Sequence, residues 1–190
     1  TMGQSASLDF AAKKVVEAVE NYRQLFPSGN ASLKVMMSQA AVYYNSQIYD
    51  KAAEIYSEVV SLSANVKEVH CEAMLFLGQC RFGEEKWNEA AEMFENVYTQ
   101  STDVAQRGTS YKLLLQSKFQ SARNVMSSGE YEKAAALFRS IDDLFPGSEY
   151  GDIVLFNAAE SFEKLEKWSQ AGDAYLELVK RYPASKYAPD

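Results

Sequence analysis

The sequence is short of the side chains that most chemistry needs. Its 190 residues hold one histidine and two cysteines. One histidine leaves no room for histidine-based catalysis or a histidine-rich metal site. Two cysteines can neither complete a four-cysteine zinc site nor form the framework of a secreted disulfide scaffold. Positive charge is also scarce, with 19 Lys+Arg against 26 Asp+Glu and a net charge of −7. A nucleic-acid backbone binder carries clustered positive charge, and docking on anionic lipid needs it too. No apolar run approaches the about 18 residues of a membrane span. There is no visible signal peptide, no glycine-rich phosphate loop and no Gly-x-Ser-x-Gly elbow. Prolines stand only at 27, 146, 183 and 189, none inside an apolar period, so they read as helix terminators. Strict alternation of apolar and polar residues, the mark of a strand, is missing.

What is present is helical periodicity in a chain that is 47% hydrophobic, which excludes disorder as the main reading. The length fits one domain or two small ones. Val35, Met36, Ala40, Tyr43 and Tyr44 recur at spacings of three and four, as do Met74, Leu77, Gly78, Phe82 and Leu155, Ala158, Ala159, Phe162. The pattern predicts nine helices, over 7–25, 31–46, 49–62, 66–83, 87–99, 103–127, 131–144, 149–165 and 168–181. Asn30, Asn65, Asp103 and Ser148 stand where caps belong, and Gly108 is a tolerated weak point in the sixth helix. Residues 1–6 read as a tag or disordered segment. Residues 184–190 read as the beginning of another helix, so the expectation is an excerpt of a longer protein.

Internal repeats decide the fold. Four segments align: Tyr49-Asp-Lys-Ala-Ala-Glu-Ile-Tyr56, Trp87-Asn-Glu-Ala-Ala-Glu-Met-Phe94, Tyr131-Glu-Lys-Ala-Ala-Ala-Leu-Phe138 and Trp168-Ser-Gln-Ala-Gly-Asp-Ala-Tyr175. Each has an aromatic, a small residue three on and an aromatic seven on, at offsets of 38, 44 and 37 residues. Such periods mean stacked supersecondary units, each unable to bury its apolar face alone. Ala52, Ala90, Ala134 and Ala171 permit close helix approach. Tyr56, Phe94, Phe138 and Tyr175 wedge between neighbours one turn on. The leading aromatic of each segment covers the end of the preceding helix.

The pattern resembles the tetratricopeptide repeat. Met74 with Leu77-Gly78, Leu155 with Ala158-Ala159 and Phe162, and Met36 with Ala40 and Tyr43 fill that family's first-helix places. Gln39 and Arg81 depart from it, and the third copy (Lys118, Ser121-Ala122, Val125) is the poorest. The junctions Leu25-Phe-Pro27-Ser-Gly, Leu144-Phe-Pro-Gly-Ser-Glu-Tyr150 and Arg181-Tyr-Pro-Ala-Ser-Lys-Tyr-Ala-Pro189 resemble those of bacterial envelope members, the BamD-like assembly lipoproteins and the Tol–Pal-associated coordinators. There Pro stops a helix, Ser caps the next and Tyr packs back on the joint. The resemblance implies an all-α right-handed superhelix of four helix–turn–helix repeats (about 33–66, 71–102, 103–147 and 148–185, within a solenoid over 28–190) after an N-terminal half repeat over 7–27. It implies a periplasmic or outer-membrane-associated location.

The resemblance also implies that first helices line a concave face. Partner-facing positions would be Lys34, Met37, Ala41 and Tyr44; Glu72, Leu75, Gln79 and Phe82; Gln116, Phe119, Arg123 and Met126; Ile153, Phe156, Glu160 and Glu163. Of these, Met37, Tyr44, Leu75, Gln79, Phe82, Phe119, Arg123, Met126, Phe156 and Glu160 form the candidate partner site. The Lys and Asn that clamp a C-terminal carboxylate in the family's chaperone-binding members are absent. An apolar groove with a polar edge suits an extended or helical peptide of another protein. The alternative is that the chain fills the groove itself. Net negative charge favours a basic partner.

Catalytic, metal and cofactor readings find no residues to stand on. Glu84-Glu85, Asp142-Asp143, Glu160, Glu163 and Glu166 read as solvated surface. Glu68, His70, Cys71 and Glu72 do not converge on one point of a helix. Cys71 and Cys80 lie about 13 Å apart along one helix and cannot pair within it. Asn30-Ala-Ser32 reads as a cap before a glycosylation acceptor. The sequence thus predicts a non-catalytic interaction scaffold in a bacterial envelope complex, without nucleic acid or membrane insertion, with contacts to flanking repeats. The alternatives are an assembly or transport factor for unfolded outer-membrane or secreted clients, and an accessory domain acting on cell-wall polymer. Leu176 and Val179 would form an apolar end face.

Overall fold

The computed structural model describes residues 7–26 and 30–188. The protein is all-α. Among the described residues there are nine helices: α1 (Phe10–Leu25), α2 (Asn30–Asn45), α3 (Tyr49–Leu62), α4 (Lys67–Gly83), α5 (Trp87–Gln100), α6 (Val104–Ser127), α7 (Tyr131–Leu144), α8 (Gly151–Lys164) and α9 (Trp168–Arg181). Among them no helix is long and apolar enough to cross a membrane.

Contacts gather the chain into two compact units, the first ending at Leu114 and the second beginning at Leu115. In the first, α1 packs on α2, α2 on α3, α3 on α4 and α4 on α5. In the second, α7 packs on α8 and α8 on α9. The division falls inside α6. That helix is ten residues longer than α8, and its first turns count with the first unit.

The second helix of each pair shows why the repeat folds. Ala52, Ala53, Tyr56 and Val59 are buried on α3; Ala90, Ala91, Phe94 and Val97 on α5; Ala134, Ala135, Phe138 and Ile141 on α7. The spacing makes one apolar stripe whose small members admit the neighbouring helix. Gly78 shows how close that approach is, since a Cβ there would meet the Phe94 ring at 2.7 Å. Burying a side chain such as Phe138 contributes about 1.5–3 kcal/mol. On α9 only Ala171, Ala174 and Leu178 are buried. Trp168 is 66% exposed, whereas the Tyr49 ring lies against Gly83 at the end of α4.

All four first helices end alike. Gln47, Glu85, Gly129 and Glu166 each stand two residues before the turn aromatic and have left-handed φ values of 58, 60, 85 and 58°. The next amide reaches back to the helix, from Ile48 to the Tyr43 carbonyl (2.9 Å), Lys86 to Arg81 (2.9 Å), Glu130 to Val125 (3.3 Å) and Lys167 to Phe162 (3.0 Å). This is the Schellman closure, which satisfies carbonyls that the helix end would orphan.

Several expected details are corrected. Asp103 does cap α6, its carboxylate accepting from the Ala105 and Gln106 amides at 2.8 and 3.0 Å. Asn65 and Ser148 do not cap. Val66 and Tyr150 hold those places without a side-chain bond, because each helix starts one to two residues later than the pattern suggested. Asp9 caps α1 at Ala12 instead. The Pro27-Ser28-Gly29 turn, the Asn30 side chain and residues 1–6 lie outside the described residues. Cys71 and Cys80 are buried free thiols, and burial pushes Cys80 up to about 12. Asp142 is not solvated surface. It is 4% exposed and bonded at 2.6 Å to Arg181. Glu84 is also largely covered and paired with Arg81 and Lys86 at 2.8 and 3.1 Å.

Candidate functional site

In the first unit the candidate residues sit on α2 and α4. Met37 is half-buried against the apolar clusters around Ala40 and Met36. Tyr44 stands edge-on to Tyr49 at 5.6 Å and to Phe76 at 6.4 Å. Gln79 and Phe82 are half-buried, and Phe82 meets Trp87 edge-on at 4.7 Å. Leu75 is buried. It forms part of the floor of a cleft of about 470 Å³ between α4 and the first turns of α6.

That cleft was not foreseen from the sequence. Its floor adds Cys71 and Phe76, and its rim carries Glu68, Glu72 and Gln106. Phe76 stacks on Tyr56 at 5.4 Å with their planes 14° apart. A local armature fixes the far wall. The Ser101 hydroxyl donates to the Gln106 side-chain oxygen at 2.6 Å and accepts from the Asp103 amide at 3.1 Å. The signal that could have revealed the cleft is the 44-residue spacing of the third copy, which lengthens α6 by extra turns. His70 is occupied locally, its Nδ1 lying 3.1 Å from the Val60 carbonyl.

In the second unit two ring clusters appear. Phe119 lies 6.0 Å from Phe138 and 5.0 Å from Tyr150. Phe156 lies 6.1 Å from Tyr175 and 5.2 Å from Tyr187. The junction tyrosines thus pack back on the joint, as the Pro-x-Ser-x-Tyr pattern required. Arg123 is exposed, with its guanidinium 5.9 Å over the Phe119 ring. Met126, Phe156 and Glu160 are half-buried. Phe119 itself is 5% exposed. Its surface is spent inside the unit, so it serves as core there, and Leu75 in the first unit can offer only the face that floors the cleft.

The electrostatics around Phe156 are distinctive. Burial, followed by the neighbouring Glu163 carboxylate and then Glu160, pushes Tyr175 up to about 12. Ser185 anchors the returning segment by donating to Asp152 at 2.7 Å, and accepts from the Tyr187 amide at 3.1 Å. Behind the site, Arg139 and Arg181 of α7 and α9 bind Glu177 at 2.6 and 2.8 Å. Arg139, followed by Arg181, holds Glu177 below its ordinary range.

Residues 154–185 match the family model of the tetratricopeptide repeat. They run from α8 through α9 to Ser185. The chain is similar to several solved structures. The apo form of RapI aligns with a TM-score of 0.50 at 14% identity, over 93% of this chain and 51% of that one. A putative kinesin light chain with nearly identical repeats, from Podosopora anserina, gives 0.49 at 17% identity over 91% and 87%. MamA from AMB-1 gives 0.49 at 13% identity over 93% and 92%. At 14% identity the RapI alignment speaks of fold alone. A comparison with curated protein sequences finds no match.

Proposed function

We propose that this chain of tetratricopeptide-like helix pairs is a non-catalytic interaction scaffold whose first helices receive a peptide or helix of a protein partner. One observation carries the reading. The second helices α3, α5 and α7 spend their aromatic wedges in the core, while the first helices leave Tyr44, Phe76, Phe82 and Phe156 partly open. Partly open aromatics, of which Phe76 lines a preformed cleft, suit anchoring of a partner side chain, with polar neighbours setting register. The net charge of −7 favours a basic partner, mainly through association rate. The bacterial envelope context rests on the Pro-x-Ser-x-Tyr junctions only.

The test is a cross-linked capture from native cells with wild type beside a Phe82→Glu/Phe156→Glu variant, read by mass spectrometry. Both side chains are half-buried rather than core, so the variant is expected to keep its helicity and stay folded during capture, with a melting temperature lowered by about 5–10 °C. Loss of one defined partner supports the scaffold. Capture of many unrelated unfolded proteins identifies an assembly factor instead. An identical catch from both samples moves the site to the second-helix faces and removes the residues named above.

A further inference from the structure

The second unit carries the same ring cluster twice, displaced by 37 residues. Phe119, Phe138 and Tyr150 become Phe156, Tyr175 and Tyr187, with ring separations of 6.0 and 5.0 Å against 6.1 and 5.2 Å. The first cluster has a resident cation. Arg123, one turn beyond Phe119 on α6, lies over the Phe119 ring. Among the described residues no cation lies over Phe156, and the residue standing where Arg123 stood is Glu160. Glu163, three residues further, stands close to Tyr175. Neither carboxylate has an ion-pair partner among the described residues. Lys186 sits 4.9 Å over the outer ring, Tyr187, and leaves Phe156 without one.

We propose that the Phe156 face of α8, edged by Glu160 and Glu163, binds a cationic side chain of the partner, arginine in preference to lysine. Arg123 over Phe119 is the chain's own copy of the bound state. The inference rests on the scaffold reading and specifies its partner's chemistry. A planar guanidinium stacks on an aromatic face and can still offer its edge to a carboxylate. Both carboxylates stand near Tyr175, the ring packed 6.1 Å from Phe156, and follow Phe156 by one and two turns on α8, so an arginine on this face can pair with them. A purely apolar anchor would cover these carboxylates without pairing them, and an acidic one would be repelled.

The test uses the whole chain and a defined probe, the peptide acetyl-Gly-Leu-Arg-Leu-Gly-amide, titrated while amide resonances are followed. Counterpart peptides carry lysine or citrulline, the latter isosteric and uncharged. The arginine peptide is expected to shift resonances of residues 153–163, with the citrulline peptide weaker by about tenfold. Glu160→Arg should abolish the response, because the new arginine occupies Phe156 as Arg123 occupies Phe119. Glu95→Arg, the same charge change on an exposed face of the first unit, should leave affinity within about twofold. Should Glu160→Arg perturb the fold, Glu160→Gln with Glu163→Gln replaces it, with a loss of about fivefold expected. Equal binding of arginine and citrulline peptides, equal weakening by Glu95→Arg and Glu160→Arg, or shifts confined elsewhere each overturn the inference. Cell capture that fails with Phe156→Glu but survives Glu160→Arg would sink the cation site and leave the scaffold standing.

Discussion

Phe119 and Phe156 are flanked by rings at nearly equal distances, yet Phe119 is 5% exposed and Phe156 remains partly open. The repeat pattern sets where each ring stands and does not set what lies over it. One substitution in the pattern, Arg123 against Glu160, changes a covered ring into one rimmed with negative charge. A second pair of positions makes the same point on the second helices. Arg139 and Asp142 of α7 bind Glu177 and Arg181 of α9. Thirty-seven residues on, α9 carries Leu176 and Val179 there, and Leu176 is 70% exposed. Within one fold, corresponding positions of two repeat copies are covered in one and open in the other.

The sharpest way to break this comparison is to truncate both rings. Phe119→Ala is expected to destabilise the second unit by about 3–5 kcal/mol, the range for emptying a packed aromatic site. Phe156→Ala should cost about 1–2 kcal/mol, since part of its surface already meets water. Urea denaturation of the two variants side by side measures the difference. Equal losses would mean that Phe156 is as much core as Phe119.

The next effect is on pH dependence. Hydrogen bonds from Arg139 and then Arg181 lower the folded-state pKa of Glu177, so its stabilisation is present above the ordinary glutamate range. It is lost as pH falls through the depressed folded value. Glu177→Gln should flatten the decline of the unfolding free energy between pH 5 and 3 by about 0.5–1 kcal/mol, discounted for partial exposure. Urea denaturation of wild type and Glu177→Gln across that range measures the two slopes. Matching slopes would show that the α7–α9 pairs add nothing to the pH dependence of stability.

The sequence was legible where one periodicity decided the matter. All nine helices stand where the spacing put them, most within a residue or two, and Tyr56, Phe94 and Phe138 are the buried wedges their repeat position implied. Features that depend on what a distant residue places nearby were not legible. Asp142 looked like surface because its cover, Arg181, lies 39 residues away. Phe119 and Phe156 occupied equivalent positions with equivalent ring neighbours, and what separates them is exposure and the cation that Arg123 places over Phe119 alone. The cleft beside Leu75 arises from extra turns of α6, which the spacing recorded as a length without saying where the added residues would lie.

The smallest effect tests whether the four turns are interchangeable. Three of them put a side chain in the left-handed region, at Gln47, Glu85 and Glu166, and the fourth uses Gly129. A residue with a Cβ pays roughly 1–2 kcal/mol there, whereas glycine pays through the greater freedom of its unfolded chain, about 0.4–1 kcal/mol. The difference favours glycine, so Glu166→Gly should stabilise by about 0.5 kcal/mol and Gly129→Ala should destabilise by a similar amount. Thermal melts of the two variants with a Glu132→Gly control in the first turn of α7, where glycine is expected to destabilise, give the sign. Stabilisation by Glu166→Gly with no loss from Gly129→Ala would mean that the Lys167–Phe162 closure carries strain that the weaker Glu130–Val125 closure at 3.3 Å does not. Opposite signs of equal size would show that one turn geometry serves every repeat and that its side chains are free to vary.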